Sequence, residues 1–139
     1  HLSIRRQRQM CIRDRSRSVH FLGRRNDVPR LMASSDVLVH PARIEGFGLV
    51  LAEALAAGLP VVASDVMGIP EVLAETDSMM VPPGNPDALR EAVLGTLGRT
   101  QDEATWAITL GRKRAEAFRT SRRIDEMVKL FDDVLAGKM

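Results

Sequence analysis

From residue 19 onward, short apolar runs alternate with longer amphipathic stretches, and Gly, Pro and Asn mark the joints. Residues 19–22 form a β-favouring run closed by Gly23; Asn26 and Asp27 then open a helix with Pro29 in its first turn. Leu31, Met32 and Ser35 carry that helix to residues 36–40, a compact apolar strand ended by Pro41. Residues 47–57 predict a helix with Leu49, Val50, Glu53, Ala54 and Ala57 on successive turns. Gly58 closes it and Pro60 blocks its continuation. Residues 60–64 are another apolar strand.

The turn at Gly68, Ile69 and Pro70 predicts a short helix over 71–74, and residues 78–81 a further strand before Pro82, Pro83 and Gly84. Asn85 reads as an N-cap with Pro86 at the first helical position, and Leu89, Val93 and Leu97 as that helix's buried stripe. A polar helix follows, with Trp106, Ala107, Leu110 and Phe118. The last helix places Ile124, Met127, Val128, Phe131, Val134 and Leu135 three or four residues apart. Short strands alternating with helices imply right-handed βαβ units and a parallel sheet buried on both faces. The expected fold class is α/β, doubly wound.

Composition changes this picture little until the charge is divided along the chain. The 139 residues have room for one core, and the 45% apolar and 27% charged fractions are those of an ordinary globular protein. Aromatics make up 4%, with no tyrosine, which argues against a surface that stacks bases. The net charge is +2 and the sequence pI about 9.2, an invitation to a nucleic-acid reading. Yet residues 1–18 hold six arginines (5, 6, 8, 13, 15 and 17) against Asp14, a net +5. The other 121 residues carry 14 basic and 17 acidic side chains, a net −3.

The basic pI therefore belongs to an N-terminal tail with three readings. It is a solvated, disordered end, or an arm that binds nucleic acid, or an artefact, since residues 6–15 resemble translated sequencing-adapter sequence. In the last case the chain is a fragment broken just upstream of residue 19. The tail lacks the apolar stretch of a secretory signal. Its Cys11 is the chain's one cysteine, so neither an internal disulfide nor a cysteine metal site is expected. No apolar run approaches the roughly 18 residues of a membrane span, and a cytoplasmic location is expected.

Chemistry concentrates in one loop. Ligands of open α/β sheets bind beyond the carboxyl ends of the strands, and the segment after His40 and Pro41 sits there. It reads Ala42, Arg43, Ile44, Glu45, Gly46, Phe47, Gly48, Leu49. Glycines admit close backbone approach, and the unpaired N–H groups of a starting helix favour phosphate; a tight strand-to-helix turn would need the same residues. Glu45 lies before the helix and Glu53 inside it, among Leu51, Ala52, Ala54 and Leu55, where an acid is costly unless hydrogen-bonded. Sugar hydroxyls suit such acceptors. Alternatively, Glu45 complements the helix dipole and Glu53 lies on a solvated face.

The run from Glu45 through Glu53 to Gly58 and Pro60 resembles the Glu-x7-Glu signature of retaining GT-B glycosyltransferases of the family-four type. The strand at 36–41, the turn at 68–72 and the segment 81–89 continue the resemblance in order, over residues 19–136. It implies the Rossmann-like C-terminal half of a GT-B fold, truncated at its N-terminal side, with residues 1–18 a separate tail and 19–139 the partial nucleotide-sugar-binding domain. Glu45 would accept hydrogen bonds from the transferred sugar and Glu53 from the ribose, while backbone amides of Gly46, Phe47, Gly48 and Leu49 cradle the diphosphate. The loop at Gly23 and Arg24 would lie near the base. No metal or other cofactor is implied, the nucleotide sugar being a substrate. No catalytic residue is assigned.

The family's half-domain opens with a stretch bearing an Arg and a Lys that grip the diphosphate. Those roles are not carried over to Arg5, Arg8 or Arg13. The acceptor-binding N-terminal domain is expected to be missing, leaving the apolar stripe of the last helix partly without a partner. Residues 78–80 stand where relatives usually have glycine, a matter of packing. His40 is expected to be a hydrogen-bonded core residue, His20 to face solvent, and Arg43 to be a solvated loop residue within reach of a phosphate. The arginines at 112, 114, 119, 122 and 123 read as an exposed helical face, or a basic surface for peripheral contact with anionic lipid. The first functional reading is the donor-binding part of a hexosyl-transferring enzyme, inactive alone. The alternative is a non-catalytic nucleotide- or nucleic-acid-binding module using the basic arm; nucleic acid is not favoured.

Overall fold

Proline and glycine at the joints, with branched apolar residues between them, set the order of the elements. In the computed structural model, which describes residues 18–137, these are α1 (Val28–Ala33), β1 (Leu38–His40), α2 (Leu49–Ala57), β2 (Val61–Ser64), α3 (Ile69–Val72) and β3 (Met79–Val81). They continue with α4 (Pro86–Leu97), α5 (Gln101–Ala115), a 3-10 turn (Glu116–Phe118) and α6 (Thr120–Leu135). The strands pair in parallel in the order β1-β2-β3, with Leu38 opposite Val61 and Val62 opposite Met79. The arginine-rich stretch, Cys11 and the adapter-like string fall within residues 1–17, outside the described residues.

The central strand organises the packing. Val61 and Ala63 face one side, where Leu51, Ala54 and Leu55 of α2 and Ile69 and Val72 of α3 complete the main core. Val62 faces the other side and meets Val81 and Ala92, with Ala88, Leu89 and Val93 of α4 against them. This period-two split puts helices on both faces of a parallel sheet, the α/β arrangement expected from the alternation of elements. All of β2 is buried. The edge strands are less covered, and Val39, Met79 and Met80 stay exposed, so burial on both faces holds for β2 rather than for the whole sheet.

Several local expectations need correction. Residues 19–22 are not a strand: they pair with no described strand, and Phe21 is 73% exposed. The helix expected over 47–57 begins at Leu49 and buries Leu51, Ala52, Ala54 and Leu55, so of the residues read on successive turns only Ala54 is buried, while Leu49 is 69% exposed. Leu51 and Leu55, one turn apart, supply most of the apolar area that this face buries. Helix α3 starts at Ile69, two residues early, because Pro70 fits its first turn. In α4 the buried positions are Ala92 and Thr96, whose hydroxyl donates to the Ala92 carbonyl at 2.9 Å, while Leu97 is exposed.

The expected caps are present at α4, where the Asn85 side chain accepts from the Ala88 N–H at 3.0 Å, and α2 ends at Gly58 in a left-handed conformation. Helix α5 adds a capping box: Thr100 Oγ1 accepts from the Glu103 N–H, and the Thr100 N–H donates to the Glu103 carboxylate at 2.8 Å. Donation by the Thr100 N–H and, next, its hydroxyl holds the Glu103 carboxyl below its ordinary value. Its folded pKa being depressed, the cap contributes fully above the unfolded-state value of about 4.3 and is lost as pH falls through the folded value. An NMR titration should show the Glu103 carboxyl titrating below free glutamate; an ordinary midpoint would show that the box is not formed.

The C-terminal helices divide the arginines. Arg119, Arg122 and Arg123 pair with Glu116 and Glu126 on the surface, as expected of a solvated face. Arg114 departs from it: its guanidinium donates to the carbonyls of Glu71 and Val72 at the end of α3, and lies over the Phe118 ring at 4.9 Å. Free carbonyls at a helix end attract a cation. The apolar stripe of α6, with Leu130 added to it, is exposed along its length, and the helix buries no residue.

Candidate functional site

The loop between β1 and α2 leaves the carboxyl edge of the sheet, and its geometry begins at His40, the last residue of β1, in register with Ala63. Five residues on, the Glu45 carboxylate turns back toward the strand. Its Oε2 lies 3.2 Å from His40 Nε2, and its Oε1 accepts the Gly48 N–H at 3.1 Å. A carboxylate can only accept, so the shared proton sits on His40 Nε2. The pair is half-buried, with 23% of the His40 and 29% of the Glu45 side chain exposed. His40 is thus hydrogen-bonded, as expected, but to the principal site residue.

Two glycines make the loop possible. Gly48 caps α2 at φ 76 and ψ 58, a left-handed conformation, and a Cβ there would lie 2.9 Å from Leu51 Cδ1. Its carbonyl accepts the Leu51 N–H at 2.8 Å and starts the helix. Gly68, at the start of α3, has ordinary dihedrals but packs so tightly on the loop that a Cβ would fall 1.9 Å from the Gly46 oxygen. The Gly68 N–H donates to the Glu45 carbonyl at 3.3 Å. On the far side, the Phe47 ring meets Phe118 edge to face, centroids 5.4 Å apart.

Of the four amides expected to cradle a diphosphate, Gly48 already donates to Glu45. The N–H groups of Gly46, Phe47 and Leu49, and also Val50, donate to no described residue. Space above Gly46 is open, since a Cβ there would touch nothing within 4 Å. The helix N-terminus therefore offers unsatisfied donors and positive partial charge to an anion.

Glu53 lies apart from this cluster. It is an exposed residue one turn into α2, about 6 Å along the axis from Leu49, not the acid in an apolar surround that its neighbours in sequence suggested. Those neighbours turn inward to the core, while Glu53 borders a groove of about 430 Å³ between α1 and α2, with Val28, Pro29, Met32, Ala33, Ala56 and Ala57. Arg43 is exposed and borders a separate hollow of about 270 Å³ with Ser64, Val81 and Asn85. Gly23, Arg24 and His20 are exposed. Among the described residues no three His, Cys, Asp or Glu side chains gather as a metal site would, and no helix is long and apolar enough to cross a membrane.

Gly68 and Phe118 support the loop directly, and Arg114 backs Phe118. The turn at 68–72 predicts a short helix and carries part of the family resemblance, but the sequence implies no contact between it and Glu45. Phe118 and Arg114 are expected on the C-terminal helices, and nothing in the sequence ties them to the loop.

Comparison with known proteins places this chain in a family. The profile described as "Glycosyl transferases group 1" matches residues 3–99. The lipopolysaccharide glucosyltransferase WaaG of Escherichia coli K12 is 38% identical over 92 residues, covering 65% of this chain and 25% of WaaG. The chain thus spans about a quarter of that curated relative's length. Sucrose-phosphate synthase from Thermosynechococcus elongatus superimposes with a TM-score of 0.77 at 30% identity, over 97% of this chain and 35% of that one. HepE of Anabaena, solved in complex with UDP-glucose, gives a TM-score of 0.61 at 29% identity, over 80% of this chain and 32% of HepE. The chain belongs to the group-1 glycosyl transferases, and its parallel α/β fold matches the C-terminal Rossmann-like domain of the GT-B enzymes.

Proposed function

We propose that this chain is the donor-binding part of a retaining glycosyltransferase that moves a hexosyl group from a nucleotide sugar to a glycan, lipid or small-molecule acceptor. The observation that carries the reading is the Glu45 loop, where a held carboxylate stands beside unsatisfied N–H groups at the start of α2. A nucleotide sugar offers the matching chemistry, hydroxyls for the carboxylate and a diphosphate for the helix end. The likeness to HepE, whose solved complex contains UDP-glucose, supports the same ligand class.

In this reading Glu45 accepts from hydroxyls of the transferred sugar, and the amides of Gly46, Phe47 and Leu49 face the diphosphate. Gly48 contributes indirectly by orienting Glu45. Glu53, at its separate groove, would accept from the ribose. As the anomeric carbon–oxygen bond breaks, charge builds on the leaving diphosphate, and the helix end offsets it without a metal. The acceptor site lies outside these 139 residues, so the chain binds donor without transferring it. The parent enzyme would work in the cytoplasm or at the inner membrane face.

Calorimetry tests this directly. UDP-glucose and GDP-mannose would be titrated into the 139-residue chain and into Glu45→Gln, with UDP and GDP as controls. One nucleotide sugar should bind more tightly than its diphosphate, and Glu45→Gln should weaken that sugar about tenfold, the size of one hydrogen bond to a charged group. Equal binding of sugar and diphosphate by the wild type would refute the reading. Sugar transfer by the chain alone would refute its inactivity.

A further inference from the structure

The Glu45 carboxylate is useful as an acceptor only if its orientation is set, and the loop that carries it is not a regular element. Left alone, a glutamate carboxylate rotates over a broad, roughly two-fold profile. Here two donors stop that rotation, the Gly48 N–H on Oε1 and His40 Nε2–H on Oε2. They differ in origin: Gly48 belongs to the same loop, whereas His40 is anchored in the sheet by its register with Ala63.

We infer that His40 is a positioning residue for donor recognition: its Nε2–H fixes the Glu45 carboxylate relative to the sheet so that one lone pair of each oxygen faces the donor's sugar. The inference rests on the reading of Glu45 as the acceptor of sugar hydroxyls. Each carboxylate oxygen has two acceptor directions, and one on each is taken by His40 or Gly48. The pair is partly exposed, and the inference assigns the remaining directions to two neighbouring hydroxyls of a hexosyl ring. A residue that only filled the core would need no proton at Nε2. His40 must hold one there, which leaves Nδ1 as the acceptor nitrogen of its neutral form.

The inference makes His40 matter for the sugar and not for the diphosphate. In the 139-residue chain, His40→Phe keeps the ring shape and removes the donor; His40→Gln keeps an N–H at similar reach. Titration with UDP and UDP-glucose, and with GDP and GDP-mannose, should show that His40→Phe loses about tenfold in nucleotide-sugar affinity and under twofold in diphosphate affinity. His40→Gln should recover most of the loss.

The failures are separable. If the wild type binds sugar and diphosphate equally, the reading of Glu45 falls and this inference with it. If Glu45→Gln loses the sugar's extra affinity but His40→Phe keeps it, the inference alone is overturned. It is also overturned if His40→Phe weakens sugar and diphosphate alike while lowering Tm, because His40 is then a packing residue. Should His40→Phe not fold, ring nitrogen-15 shifts decide. A His40 Nε2 proton that responds to Glu45→Gln supports the pairing, and one that does not respond overturns it.

Discussion

Gly68→Ala should destabilise the protein by about 3 kcal/mol and displace the Glu45 loop, although alanine is otherwise a modest change. The dihedrals of Gly68, φ −79 and ψ −8, suit any residue, so strain at the position itself is not the cause. The cause is contact. The added Cβ would lie 1.9 Å from the Gly46 oxygen, 2.9 Å from its carbonyl carbon and 3.3 Å from Phe47 Cα. These are backbone atoms and cannot swing aside as a side chain can. Since carbon and oxygen rest no closer than about 3.3 Å, the loop must retreat by more than 1 Å. That retreat breaks the bond from the Gly68 N–H to the Glu45 carbonyl and moves Glu45 with it. Thermal melts should show Tm lower by about 10 °C for a chain of this size. Backbone amide shifts should change at residues 45–48. A Tm within 1 °C of wild type would show that loop and helix are not packed as described.

Leu51→Ala should cost about 2–5 kcal/mol, and Leu49→Ala less than about 0.5 kcal/mol. The two leucines stand two residues apart on α2, yet Leu51 is fully buried and Leu49 is 69% exposed. Truncating Leu51 leaves a void between α2, β2 and α3, and removes the side chain that lies beneath Gly48. Urea unfolding of both variants measures the difference. Equal losses would mean that α2 is rotated about its axis, which would also move Glu53 away from the α1 groove.

The contrast between these leucines shows what the chain discloses about itself. The strands expected at 36–40, 60–64 and 78–81 were legible because short apolar runs end at Pro41, Ser64 and Pro82, although each begins one or two residues later, at Leu38, Val61 and Met79. The start of α4 was legible because Asn85 followed by Pro86 is a local signal needing no partner. Which side of α2 faces inward was not, since Leu49, Val50, Leu51, Ala52, Ala54 and Leu55 are apolar almost all round. Only the sheet's position chooses among them. The run at 19–22 failed for the complementary reason: strand-forming side chains make a strand only where another strand pairs with them.

The site was legible to the same extent. Glu45 and its glycines announced a loop, because glycine on both sides of Phe47 where a helix begins is a local pattern. The partners of that loop were not local. His40 could be weighed only as a histidine until its ring was found at Glu45, and Gly68 and Phe118 meet the loop through the fold alone, with Arg114 behind Phe118.

Those distant partners bear on how the site is completed during synthesis. Phe47 leaves the ribosome about 70 residues before Phe118, its edge-to-face partner. At 5–20 residues per second, the loop waits roughly 4–14 s for that ring to be translated. Strands and helices around it can pair in the interval, since their contacts are nearer in sequence. The segment that most resembles a binding site is among the first parts of the described chain to emerge and among the last to be secured.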